Sequence, residues 1–219
     1  MLAVYQNRFL ETALAVNALK FGEFTLKSGR KSPYFFNAGA FADGQSLAVM
    51  AQAYAAVIKQ ILSEGLKVDL LFGPAYKGIP LVAAVATVLS LQEGIHLPWA
   101  FNRKEEKAHG EGGMLVGSDV RGKKVLILDD VLTAGTAVRA SLQLLTAQGA
   151  EPIALVVALD RQEKIGDSDL SALEHIRQER NLHTRAIVGL SDLLRFVQDK
   201  EEYCSCLADL EAYRQAYGA

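Results

Sequence analysis

The sequence predicts an α/β protein, a parallel sheet flanked by helices with a small N-terminal subdomain. Three observations carry this. Apolar runs of strand length recur at 68–72, 97–102, 124–128, 152–160 and 184–188, and segments of helical character follow most of them. Near-continuous apolar strands of this kind belong to sheets covered on both faces. Charged residues gather just after the strands: Lys77, Arg103, Asp129 with Asp130, and Arg161. In open α/β sheets ligands bind in the crevice at those ends. The first forty residues follow another pattern, with aromatics alternating with polar residues around a Ser-Gly-Arg turn.

In order, residues 4–19 place Phe9, Leu10, Ala13, Leu14 and Val16 at helical spacing. "FGEFTLKSGRKSPYFFNAG", 21–39, reads as two short strands joined at Ser28-Gly29-Arg30. Residues 47–62 are helical again. "VDLLF" is a strand, followed by Gly73-Pro74 and a helix from Gly78. "LPWAFN" is a strand leading into a charged, glycine-rich loop. "KVLIL" is a strand ending in the two aspartates, with a helix over 135–148. "PIALVVALD" is a strand, then come Arg161 and a helix over 171–179. "TRAIV" is a fifth strand of this series, and the remainder to 219 is helical.

The 219 residues suit one domain of generous size or one domain with a subdomain, and half of them are apolar, enough for a sizeable core. The formal net charge of -2 lacks the basic excess of a nucleic-acid binder. Cys204 and Cys206 stand one residue apart, too close for an unstrained disulfide, so two reduced thiols on a C-terminal helix are expected. That and the absence of a secretion pattern make a cytoplasmic setting the expectation. The uncharged stretch at 78–92 is short for a membrane span and reads as a buried helix.

"VLILDDVLTAGTA", 125–137, carries the most chemistry. A helix starting near Gly135 offers free backbone N–H groups and the positive end of its dipole, and small residues let a phosphate approach. Thr133 and Thr136 add hydroxyls. Carboxylates repel phosphate but accept hydrogen bonds from sugar hydroxyls or hold a cation. Asp129 and Asp130 followed by Thr133–Ala137 therefore read as a site for ribose hydroxyls, then a ribose 5-phosphate. The alternative is that the aspartates only cap the helix. "GSDVRGKK", 117–124, comes near a P-loop, but it ends in Lys124 instead of Ser or Thr and precedes a strand, so it is rejected.

"VLILDDVLTAGTA" resembles the phosphoribosyl diphosphate (PRPP) signature of type I phosphoribosyltransferases. "FGEFTLKSGRKSPYFFNAG", "LLFGPAYKGIPL", "FNRKEEKAHGEGG" and "LDRQE" extend the likeness, in order, to the bacterial orotate phosphoribosyltransferase family. The resemblance implies transfer of the 5-phosphoribosyl group from PRPP to N1 of orotate, giving orotidine 5′-phosphate and diphosphate, in pyrimidine biosynthesis. It implies a single phosphoribosyltransferase domain. Residues 1–40 contribute a hood over the base site, and 65–190 form the PRPP-binding core.

The resemblance also implies roles. PRPP would meet Lys27, Tyr76, Lys77, Arg103, Lys104, Lys107, His109, Asp129, Asp130, Val131, Leu132, Thr133, Ala134, Gly135, Thr136 and Ala137. Orotate would meet Phe35, Phe36, Thr133 and Arg161. Among these, Lys104, Lys107, His109, Asp129 and Asp130 would be catalytic. Arg161 would take the base carboxylate, a group a guanidinium holds as a bidentate pair. A strained, cis peptide at Ala75–Tyr76 would aim backbone N–H groups at diphosphate. Residues 103–113 would be a lid, with Ala108 where the family commonly has an acidic residue. Mg²⁺ would arrive mainly through PRPP and diphosphate, with no dedicated protein metal site. The family is a homodimer whose lid reaches the partner's active site, and neither nucleic acid nor membrane is implied as a partner. Two other readings stay open: transfer to another base such as a purine, and a regulator that binds PRPP without catalysis.

Overall fold

The first helix, α1 (Val4–Ala15), buries Phe9, Leu10 and Ala13. It stops four residues short of the expected end because Asn17 adopts a left-handed conformation (φ 59°), which Asn tolerates better than most residues. Leu19 accordingly opens a strand. The structure, a computed structural model, describes residues 1–219 apart from 27, 108–112, 133–134, 167 and 199, and apart from the side chains of 106, 107 and 204.

β1 (Leu19–Thr25) and β2 (Lys31–Phe36) pair antiparallel as a separate two-stranded sheet. α2 (Gly44–Ser63) follows, capped by Asp43, whose carboxylate accepts from the Gln45 and Ser46 N–H groups at 2.8 and 3.0 Å. Then come β3 (Leu70–Gly73), α3 (Gly78–Glu93), β4 (Trp99–Lys107), β5 (Gly113–Gly117), β6 (Lys124–Val131), α4 (Thr136–Ala147), β7 (Glu151–Asp160), α5 (Ala172–Arg180), β8 (His183–Gly189), α6 (Leu190–Gln198) and α7 (Cys204–Tyr217).

The main sheet has six strands in the order β5-β4-β3-β6-β7-β8. All its pairings are parallel except β4 with β5. β5 was not expected. The charged run after "LPWAFN" continues β4 to Lys107, and "GMLVG" returns beside it, a pairing that polar residues in the first of the two strands conceal. The aspartates likewise lie within β6 and not beyond it.

Successive residues along the central strands alternate between two cores. Leu71, Leu126, Leu128, Val156 and Ala158 face the layer that contains α1, α2, α3, α6 and α7. Leu70, Phe72, Val125, Ile127, Leu155 and Val157 face α4 and α5. α2 is long and apolar enough to cross a membrane by length and composition, but over half of it is buried inside the protein, as expected of a core helix. The rejected P-loop candidate connects β5 to β6 and opens no helix.

Candidate functional site

The direction of sheet growth reverses between β3 and β6. β4 lies on one side of β3, while β6, β7 and β8 extend from the other. A crevice forms at such a switch point, outside the strands' C-terminal ends. Two of the expected segments meet there.

The first is "GPAYKG". Gly73 ends β3 and Gly78 begins α3. A Cβ on Gly73 would overlap the Gly78 carbonyl, and one on Gly78 would lie 2.6 Å from the Gly73 carbonyl carbon. Both glycines are therefore needed for strand end and helix start to touch. The Ala75–Tyr76 peptide is cis, as the resemblance implied. Asn102 of β4 accepts the Ala75 N–H at 3.0 Å, a tie the sequence reading did not anticipate. Tyr76 projects outward, 65% exposed, with the Lys104 ammonium 4.7 Å from its ring centroid. Arg103, also on β4, donates to the Gly113 carbonyl of β5 at 3.3 Å.

The second is the end of β6. Asp129 and Asp130 accept N–H groups of their own strand: Asp130 N–H to Asp129 Oδ1 at 2.9 Å, Val131 N–H to Asp130 Oδ1 at 2.8 Å. Neither bond caps α4, which begins at a left-handed Gly135 (φ 71°) with no side-chain cap. The first-turn N–H groups, those of Thr136 and Ala137 among them, have no helical partner and so remain available to an anion. Val131 ends β6 and Leu132 is buried. Thr133 and Ala134 lie outside the described residues.

Lys77 Nζ joins the two segments, 2.8 Å from Asp130 Oδ2, and also donates to Asn37 Oδ1 at 3.4 Å. Lys77 was expected beside diphosphate; here an acidic neighbour holds it. A cavity of about 380 Å³ opens next to the pair, lined by Phe41, Leu47, Met50 and Leu81 with Lys77 and Asp130. A larger one, about 690 Å³, lies away from the strand ends, between Leu14, Phe21, Phe196 and Tyr203.

Burial, then the neighbouring Asp130 charge, pushes the Asp129 carboxyl up to about 6. Tyr54 of α2 adds a tie that the sequence reading missed. Its hydroxyl donates to the Asp129 carbonyl at 2.6 Å, and burial followed by the Asp129 charge raises the phenol well above its usual range. A lone tyrosine in an apolar helix carries no sequence signal for this role.

Arg161 follows β7 immediately. Its guanidinium is held on several sides: Nε donates to Glu163 Oε1 at 2.7 Å, Nη2 to Ser32 Oγ at 2.8 Å and to Tyr213 Oη at 3.3 Å, and its carbon sits 4.3 Å from the Tyr34 ring centroid. The Nε N–H and both Nη2 N–H groups are thus engaged by protein, so Nη1 faces a carboxylate most freely, and a bidentate grip through the Nη1–Nη2 end would displace one of the Nη2 bonds. Arg30 is occupied as well, 2.9 Å from Glu163 Oε2. Phe35 is exposed on the hairpin and touches Phe24, whereas the Phe36 ring packs against Phe9 and Phe41. Phe36 can therefore offer a ligand its backbone, not its ring. Lys27, His109 and the side chain of Lys107 lie outside the described residues. No cluster of three or more His, Cys, Asp or Glu suited to a metal exists among the described residues.

Comparison with known proteins agrees with this geometry. A phosphoribosyl transferase domain model matches residues 45–191. A curated protein named orotate phosphoribosyltransferase, from Dichelobacter nodosus, is 62% identical over 218 residues, covering 100% of this chain and 98% of its own. The crystal structure of the Francisella tularensis orotate phosphoribosyltransferase is 47% identical with a TM-score of 0.85, covering 96% of this chain and 99% of its own. A Mycobacterium tuberculosis enzyme of the same name, solved with PRPP, is 21% identical and shares the fold at a TM-score of 0.61, over 85% of this chain and 98% of its own. The chain belongs to the orotate phosphoribosyltransferases, within the phosphoribosyltransferase family.

Proposed function

We infer that this chain transfers the 5-phosphoribosyl group of PRPP to N1 of orotate, forming orotidine 5′-phosphate and diphosphate in de novo pyrimidine biosynthesis. The observation that carries the reading is the meeting of the "GPAYKG" turn and the paired aspartates at one switch point, Lys77 on Asp130 at 2.8 Å, with Arg161 at the end of the next strand. A monophosphate fits the α4 N-terminus, ribose hydroxyls fit Asp129 and Asp130, diphosphate fits the backbone of 73–78, and an acidic base fits Arg161.

In the reaction the bond from C1 of the ribose to diphosphate breaks, and diphosphate leaves with the electron pair. A bond from C1 to N1 forms, and N1 gives up its proton. Orotate is anionic, so no covalent nucleophile is required. Charge separates, positive on the sugar and negative on diphosphate, and the protein's part is positioning and electrostatic stabilisation. Asp129 and Asp130 orient the hydroxyls and favour positive charge at the ring. Lys104, Lys107 and His109 of the lid, with Arg103, meet the leaving diphosphate. Two adjacent carboxylates at a crevice suit a Mg²⁺ that comes in with PRPP, and that ion supplies charge neutralisation when bound.

Residues 1–40 act as the hood and 65–190 as the PRPP core. The lid, 103–113, serves the partner site of a homodimer. The setting is cytoplasmic, in keeping with the free Cys206 thiol. The test is diphosphate release with PRPP and each of orotate, uracil and a purine. Release with orotate alone is expected, and equal rates with all bases would overturn the assignment.

A further inference from the structure

We propose that Tyr213 of the C-terminal helix is a positioning residue for Arg161, acting together with Glu163, and that it sets the preference for a base bearing a carboxylate. This rests on the reading above, in which Arg161 meets that carboxylate.

Arg161 follows a strand, where a long flexible side chain has many rotamers open to it. A receptor for one carboxylate needs a single orientation, because the guanidinium fork is planar and directional. Glu163 supplies part of the constraint. Its Oε1 takes Arg161 Nε at 2.7 Å and its Oε2 takes Arg30 Nη1 at 2.9 Å, so one carboxylate bridges two guanidiniums. Among these three groups one positive charge is left uncompensated, the complement of one substrate carboxylate.

Tyr213 supplies the rest, from more than fifty residues away in sequence. Its hydroxyl donates to Glu163 Oε1 at 2.7 Å and accepts from Arg161 Nη2 at 3.3 Å. It therefore touches both members of the ion pair. Its ring stands edge-on to Tyr34, on whose face the Arg161 guanidinium lies. Backbone contacts lock the helix end to the Arg161 loop: the Lys164 N–H donates to the Tyr217 carbonyl and the Ala219 N–H to the Gln162 carbonyl, both at 2.9 Å. Arg30 lies 4.5 Å from the centroid of Tyr217. The last seven residues thus form a wall of the base end of the site. None of these contacts reaches the switch-point crevice, so they bear on the base and not on PRPP.

Tyr213→Phe removes the hydroxyl and keeps the ring between Tyr34 and Tyr217. Dissociation constants for orotate and PRPP are measured by calorimetry in the wild type, Tyr213→Phe, Arg161→Gln and the double variant, with melting temperatures to confirm folding. The hydroxyl's loss is expected to weaken orotate about five- to tenfold and to leave PRPP within about twofold, the scale of one net hydrogen bond. The orotate-over-uracil preference should fall in step. In the Arg161→Gln background the same change should have no further effect on orotate, since a residue acting through Arg161 has nothing left to position. An unchanged orotate affinity in Tyr213→Phe, an equal loss for PRPP, or the same loss in both backgrounds overturns the proposal. If Arg161→Gln itself leaves orotate binding intact, the carboxylate reading fails first and the proposal falls with it.

Discussion

Asp129 should make the protein less stable at neutral pH than it would be with a neutral side chain there. In the unfolded chain its carboxyl loses its proton near 3.8; in the folded chain burial and the Asp130 charge move that to about 6. Below 3.8 both states are protonated and nothing is contributed. Between the two values the folded state holds the extra proton, so stability falls as pH rises. Above 6 the whole penalty is present, about two pH units at 1.36 kcal/mol each, or roughly 3 kcal/mol. Asp129→Asn keeps an oxygen to accept the Asp130 N–H and removes the charge. Melting curves of the two proteins should nearly coincide at pH 4 and separate at pH 8, the variant melting about 6 °C higher for a chain of this length. The difference between variant and wild type is the informative quantity. Asp43, Asp119 and Asp169 are shifted the opposite way, by hydrogen bonds to Ser46, Arg121 and Lys164 respectively, and they cancel in the comparison. Turnover should move against stability, falling roughly ten- to a hundredfold as hydrogen bonds to a charged acceptor are lost. A gap in melting temperature that is the same at pH 4 and pH 8, or a variant that melts lower at pH 8, would refute the electrostatic account of this position.

Arg161→Ala should weaken orotate by roughly ten- to a hundredfold, the worth of hydrogen bonds to a charged group, and barely affect PRPP; equal changes in the two dissociation constants count against the base-carboxylate role. Gly73→Ala should lower stability by at least about 1–3 kcal/mol, seen as an earlier denaturation midpoint, because the new methyl overlaps the Gly78 carbonyl; an unchanged midpoint means the turn can open. Mixing equal amounts of the impaired variants Lys107→Ala and Asp129→Asn with random subunit exchange should raise activity to about a quarter of wild type, since a two-fold dimer with shared sites then holds one intact site per mixed pair. Exchange without recovery would sink the shared lid.

The strands β3, β6 and β7 were legible because residues on both their faces are buried, which leaves a near-continuous apolar run; β8, at the sheet edge with Arg185 exposed, was legible from the shorter run at 186–188. β5 and the second half of β4 were not, because this edge hairpin carries Arg103, Lys104, Glu105, Glu106 and Lys107, and composition there imitates a loop. The paired aspartates and the two turn glycines stood out in the sequence because two carboxylates in succession after a buried apolar strand, and two glycines at a strand end, depart from the pattern around them. Asn102, Tyr54, Ser32 and Tyr213 were not. Each acts through hydrogen bonds across a long sequence distance, 27 residues for Asn102 and 129 for Ser32, and only the packed fold brings the partners together.

The Lys77–Asp130 pair shows why the site needs both chemistries close together. On the proposed reading Lys77 serves diphosphate and Asp130 ribose hydroxyls; alone, each would carry an uncompensated charge into a partly desolvated crevice, where isolated charges are costly. Pairing at 2.8 Å lets each neutralise the other. The Lys77 side chain is 57% exposed, so the contact is screened by water and contributes little to stability. PRPP presents diphosphate to the lysine and hydroxyls to the aspartate, so on the proposed reading both partners exchange one weak contact for two stronger ones. Among the described residues the Asp129 carboxylate accepts from the next backbone N–H, and burial and Asp130's charge outweigh the opposing pull of Lys77. The electrostatic cost therefore falls mainly on one carboxylate, the one that on the proposed reading lies beside a sugar that becomes positive during transfer.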